Sequence, residues 1–210
     1  MDNMPLFPLN IVVVPKERIP LPIFEPRYKR MIKDSIKTGD PFGIVLKENK
    51  GLKTIGCSVK IIRVLKEHPS GEYDIIVQGQ RCFQIKGKTR ENDHLWIGKV
   101  TYLEDHEPAS ADLLEKTRDQ YLHILLKLGL NEDMERHMSK NQSFDFIELI
   151  NLPNKIKQQL IEINNENQRL EIINRIFSGV MTMVSFGTNG QQISEAVSYT
   201  HLTLPTILLV

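Results

Sequence analysis

The residues that carry chemistry are sparse in this sequence. Only two cysteines occur in 210 residues, Cys57 and Cys82, without the Cys-x-x-Cys spacing that holds zinc or runs thiol exchange. Both read as buried, inert thiols. There is no Gly-x-x-x-x-Gly-Lys-[Ser/Thr] loop to cradle a nucleotide triphosphate, no Gly-x-Ser-x-Gly elbow and no His-Glu-x-x-His pair. The six histidines (His68, His94, His106, His123, His137 and His201) are scattered among charged and turn residues, which predicts solvated side chains. His123 stands four residues from Asp119, a surface pairing rather than a ligand set. Asp112, Glu115 and Asp119 repeat at helical spacing and describe one wet face. Hence no catalytic residue, metal ligand or cofactor is assigned. The start, Met1-Asp2-Asn3-Met4, lacks the features of a secretory leader, and no apolar run approaches the roughly 18 to 20 residues of a membrane span. A cytoplasmic protein without a membrane partner is expected.

An excess of one charge is also missing, since the formal net charge is +1. Counted by position, however, residues 1–103 carry +7 and residues 104–210 carry −6. Such asymmetry marks a change of domain. The structure breakers divide at the same place, with eight of twelve glycines and eight of eleven prolines in the first part.

Six of those prolines lie in the first 26 residues, at 5, 8, 15, 20, 22 and 26. Proline lacks an amide donor and resists helix, so the apolar pieces between them are predicted to be short extended segments or sheet edges. Pro26 suits the first turn of a helix over 27–38, where Tyr28, Met31, Ile32 and Ile36 draw a buried stripe. Strands are predicted over 42–47, 55–65, 73–79, 82–87 and 95–103, with turns at Asn49-Lys50-Gly51, Pro69-Ser70-Gly71, Gly79-Gln80 and Glu91-Asn92-Asp93. The pair 55–65 and 73–79 reads as a hairpin. Many short strands around one early helix imply a small barrel, so 1–103 is expected to be one subdomain.

Residues 108–187 form the second expected subdomain, a helical bundle. Ser110 is a plausible cap for a helix over 111–128 with Leu114, Tyr121, Leu125 and Leu128 inward. Shorter helices fit 132–138 and 144–151, another follows Leu152-Pro153 with Ile156, Leu160 and Ile163, and the last runs over 167–186 with Leu170, Ile173, Ile176 and Phe177 inward. The fold class is therefore α+β. Residues 196–210 continue neither pattern. The string Val197-Ser-Tyr-Thr-His-Leu-Thr-Leu-Pro-Thr206 resembles a translated sequencing-adapter tail, so a non-native or disordered segment is expected there. The competing reading is a partner-binding or membrane-touching tail, although its apolar run falls well short of a spanning length.

Met4-Pro-Leu-Phe-Pro-Leu9, Val14-Pro15, Leu21-Pro-Ile-Phe-Glu-Pro-Arg-Tyr28, Phe42-Gly-Ile-Val-Leu46, Ile55-Gly56 and Gln78-Gly-Gln-Arg-Cys-Phe83 together resemble the N-terminal substrate-binding domain of the Lon protease family. Leu152-Pro153, Lys157-Gln-Gln-Leu-Ile-Glu162 and Arg169-Leu-Glu-Ile-Ile173 extend the likeness more loosely. Two positions depart from the family pattern: Pro15-Lys16 stands where Pro-Gly is common, and Cys82-Phe83 where Arg-Phe is frequent. The resemblance implies a PUA-like β-barrel followed by a helical bundle. It also implies a stand-alone form that binds unfolded or partner proteins, and through them a protease, without chemistry of its own.

In that reading Leu6, Phe7, Leu9 and Phe24 are the candidate substrate-binding residues. The proline-fixed strand near 6–14 would offer an edge to an extended client. Glu25, Arg27, Tyr28, Gly79 and Phe83 are motif residues with structural roles, Arg27 bracing strand carbonyls and Phe7, Phe24 and Phe83 packing in the barrel. Two alternatives stay open: an RNA-binding PUA-like domain, for which the +7 speaks but the dispersed Tyr73, Phe83 and Trp96 do not, and the front piece of a complete Lon enzyme.

Overall fold

The computed structural model describes residues 2–49, 51–91, 94–105, 107–130, 132–147, 150–185 and 208–209. The chain divides into two compact units, Met1–Glu104 and Asp105–Val210. The first contains β1 (Asp2–Leu9), β2 (Arg18–Ile23), α1 (Pro26–Thr38), β3 (Phe42–Glu48), β4 (Gly51–Glu67), β5 (Tyr73–Arg90) and β6 (Trp96–Tyr102). Its sheet runs β2-β5-β4-β3-β1-β6, and an additional β5–β6 pairing closes the last five into a barrel. The β1–β3 pair is parallel and the other pairs are antiparallel.

Closure comes from the length of β5. Its first half pairs with β2, from Tyr73 to Gln78, and its second half pairs with β6, from Phe83 to Arg90. The turn predicted at Gly79-Gln80 is thus absent, and the two short strands predicted around it are one. Gly79 has another use: a Cβ there would stand 2.0 Å from the Val14 carbonyl oxygen. The glycine lets β5 pass a neighbouring backbone and does not reverse the chain.

Successive residues of β1 face opposite sides of the sheet and both sides are buried. Phe7 packs with Tyr28, Ile32, Phe42, Ile75 and Val77, while Leu6 packs with Met4, Val45, Phe83 and Val100. Phe83 fits only because residue 43 is glycine, whose Cβ would lie 2.6 Å from the ring. Helix α1 starts at Pro26 and buries Tyr28, Met31, Ile32 and Ser35. Ile36, predicted for that stripe, is exposed. Ser35 takes the place instead and its hydroxyl donates to the Asp40 carbonyl at 2.5 Å, tying the end of α1 to the start of β3.

The second unit contains α2 (Ala111–Lys127), α3 (Met134–Met138), a 3-10 turn (Ser143–Ile147), α4 (Asn154–Glu162) and α5 (Glu166–Ser185). Tyr121, Leu125, Phe146, Leu160, Leu170, Ile173 and Phe177 are buried, with the Tyr121 ring 5.6 Å from Phe146 and 6.0 Å from Phe177. Of the segment predicted as a helix over 144–151, residues 144–147 lie in the 3-10 turn, where the Asp145 carboxylate accepts from the amides of Asn141 and Gln142 and curls the chain locally, and Ile150–Asn151 is a two-residue strand. Of the tail 196–210, only Leu208–Leu209 is described, as a two-residue strand beside Ile150–Asn151.

Candidate functional site

Along β2 the pleat sends Leu21 and Ile23 into the core and leaves Arg18, Pro20 and Pro22 exposed. Phe24 continues the outward series and is 65% exposed. Pro20 lies opposite Ile76 and Pro22 opposite Asp74 on β5. Ile76 in turn lies opposite Arg63, Asp74 opposite Lys66 and Gln78 opposite Lys60 on β4. Directly opposed residues share a face of the sheet. One outer surface of β2, β5 and β4 therefore carries Pro20, Pro22 and Ile76, flanked by Arg18, Lys60, Arg63 and Lys66. Its one carboxylate, Asp74, is engaged by the His68 ring at 2.8 Å. Register irregularities between Ile61 and Arg63 and between Val64 and Lys66 each insert one residue into β4. They convert the three-residue spacing of Lys60, Arg63 and Lys66 into a row on a single face.

The predicted site residues separate. Leu6 and Phe7 are core side chains, and Leu9 is half-buried against the Phe7 cluster. Strand β1 lies between β3 and β6 and is not an edge for an incoming chain. Two of the six early prolines, Pro5 and Pro8, lie in β1, and two, Pro20 and Pro22, lie on an edge, since β2 has β5 as its only neighbour in the sheet among the described residues. Pro20 and Pro22 remove two donors from that strand and blunt it as a template. Phe24 is not in the core, because the pleat that buries Ile23 turns it out. Phe83 is fully buried.

Glu25 is the N-cap residue of α1, and its carbonyl accepts from the amides of Tyr28 and Lys29, both at 3.0 Å. Its carboxylate receives Arg27 at 2.6 Å. Arg27 braces this carboxylate and not strand carbonyls, and it also covers the Tyr28 ring at 4.7 Å. Tyr28 has its phenol pKa raised by burial, an effect that the Arg27 charge opposes. Cys57 and Cys82, distant in sequence, are directly opposed on β4 and β5. Burial pushes the Cys57 thiol well up, which leaves it protonated and unreactive.

A groove of about 730 Å³ beside α1 is lined by Asp2, Asp34, Asp40, Glu91 and Arg30, among others. Arg30 is paired with Glu91 across it. No nucleophile and base are brought together there. Among the described residues no group of three or more His, Cys, Asp or Glu side chains is placed to hold a metal ion, and no helix is long and apolar enough to cross a membrane. Sequence reasoning missed the cationic row of β4, because an i, i+3, i+6 spacing reads as helical unless bulges are known. It missed the outward Phe24 although the Leu21/Ile23 alternation was the signal.

A closed barrel with an exposed face of apolar and cationic side chains, followed by helices, belongs to the class of binding modules. The chain belongs to the family of the ATP-dependent protease La (LON) substrate-binding domain, whose pattern matches residues 3–178. It is 34% identical over 120 residues to the Lon protease of Parabacteroides distasonis, covering 53% of this chain and 14% of that protein. To the Lon protease of Cytophaga hutchinsonii it is 25% identical over 186 residues, covering 79% of this chain and 23% of that one. The chain thus spans less than a quarter of the length of these two relatives. Its fold is shared with the crystal structure of a Lon N-terminal domain protein from Xanthomonas campestris (TM-score 0.63, 22% identity, 82% of this chain and 97% of that one). It is shared also with the N-terminal domain of a Mycobacterium avium complex Lon protease (TM-score 0.67, 18% identity, 84% and 98%).

Proposed function

We infer that this chain is a non-catalytic module that holds unfolded or partner proteins and presents them to a proteolytic machine, in the cytoplasm. The observation that carries the reading is the outer face of β2, β5 and β4, where Phe24 is 65% exposed beside the outward positions of Pro20, Pro22 and Ile76. Misfolded segments offer apolar side chains without fixed geometry, and a flat, rigid apolar face suits them better than a deep pocket. The cations around it favour segments of net negative charge and raise the rate of encounter.

The test is suppression of aggregation of a reduced model protein by the full chain. Wild type is expected to suppress at a few-fold excess, and Phe24→Ser to lose most of the effect while keeping its melting temperature. Equal activity of the two proteins, or none in wild type, would sink the proposal. RNA binding finds no support in the aromatic residues: Tyr73 and Phe83 are buried, and the Trp96 ring lies under Arg90 at 4.3 Å and Lys88 at 5.4 Å. No stacking platform remains among them.

A further inference from the structure

The outer face is bordered by an edge that the fold leaves open. Strand β4 pairs with β3 only as far as Val59, while it continues beside β5 to Glu67. Beyond Val59, no strand among the described residues pairs with the other side of β4. This stretch exposes Ile62 (44%), Val64 (40%) and Leu65 (50%), three of the five exposed large apolar side chains among the described residues of the first unit. It contains no proline, in contrast to β2. A proline-free edge with exposed apolar side chains is a template for one more strand.

Building on the reading of the chain as a binder of protein segments, we propose that residues 60–67 of β4 capture a client by strand addition, the occupant being an extended segment that alternates apolar and acidic residues. Main-chain hydrogen bonds from the open side of β4 would hold the segment in any sequence. Ile62, Val64 and Leu65 would take its apolar side chains. Charge sets the preference. Lys60, Arg63 and Lys66 supply three cations in eight residues, and the single carboxylate, Glu67, already accepts from the Tyr73 hydroxyl at 3.1 Å. Acidic residues in the added strand are thus drawn to the edge. A second copy of the same edge would set like charges against one another, which disfavours self-pairing.

The probe is a fluorescent eight-residue peptide of alternating valine and glutamate, titrated against the full chain by anisotropy, with hydrogen exchange read at the amides of 60–67. Binding with protection of those amides is expected. A peptide N-methylated at alternate residues, which keeps the side chains and removes the main-chain donors, should bind about tenfold more weakly. The valine–lysine counterpart should bind more weakly still. Leu65→Ser, an exposed change that leaves the fold and the charge of the edge intact, should weaken the glutamate peptide while Phe24→Ser does not. Strand addition is overturned if the glutamate peptide fails to bind, or if N-methylation and Leu65→Ser leave its affinity unchanged. Suppression of aggregation that survives Leu65→Ser but not Phe24→Ser would overturn capture at the edge alone and leave the reading of the outer face standing.

Discussion

Lys16 has a φ of 69°, a left-handed backbone that costs a residue with a Cβ roughly 1 to 2 kcal/mol. The turn tolerates it because it is held from both sides. The Lys16 amide donates to the Gly79 carbonyl at 2.8 Å, and the Gly79 amide donates to the Glu17 carbonyl at 2.9 Å. The Glu17 carboxylate accepts from the Val14 amide at 3.0 Å within the same turn. Lys16→Gly is expected to stabilise the protein by about 1 kcal/mol, since it relieves the strain without removing these bonds. Gly79→Ala should destabilise by about 1 to 3 kcal/mol or more, because the added methyl meets the Val14 carbonyl oxygen. Urea midpoints of the two variants check both signs, and a Lys16→Gly protein no more stable than wild type would remove strain from the account. The departure from Pro-Gly was legible in the sequence. Its cost was not, because Pro15-Lys16 alone does not reveal that the turn must follow a left-handed path beside Gly79.

At the scale of elements, legibility followed local pattern and failed where an element depends on a distant partner. Helix α1 was readable because Pro26 opens it, Gly39 ends it and a 3.6-residue stripe lies between, and α5 because Leu170, Ile173, Ile176 and Phe177 draw such a stripe. The unbroken β5 was not, since Gly-Gln looks like a turn until Val14 is known to pass over Gly79. The strand-edge assignment to β1 failed for a related reason: proline density marks edges, but the strands it marks do not pair in chain order. The last helix also hid a polar centre. Arg169 is buried with its Nε donating to the Ser143 hydroxyl at 3.0 Å, one Nη to the Ile163 carbonyl at 2.6 Å and the other to Glu166 and Asp105. The Glu166 carboxylate also accepts from the Ser143 amide and hydroxyl. Removing the cation leaves Glu166 buried and uncompensated, so Arg169→Ala is expected to cost about 3 to 5 kcal/mol. The pair Arg169→Met with Glu166→Gln should recover a large part of that loss. Denaturation curves of wild type and the two variants decide it, and a mild Arg169→Ala would show that the cluster contributes little.

The charge division belongs to the whole molecule. The unit that contains the proposed binding face, residues 1–104, carries +6, and the helical unit, residues 105–210, carries −5. The first unit also has the ingredients for independent folding. Its sheet closes through β5–β6 pairing, and both apolar clusters draw only on residues from Met4 to Tyr102. About 100 residues suffice to bury a stable core. A fragment of residues 1–104 is therefore expected to fold alone, with a cooperative melt and a strand-rich circular dichroism spectrum. Freed from the acidic unit, its net charge is higher, so its binding of an acidic unfolded client should weaken more steeply with salt than that of the full chain. Cooperative melting of the fragment together with a steeper salt slope supports division of labour between the units. A fragment that is unstructured in buffer would mean that the barrel needs the helices to fold, and an equal salt slope would mean that the acidic unit does not modulate the basic face.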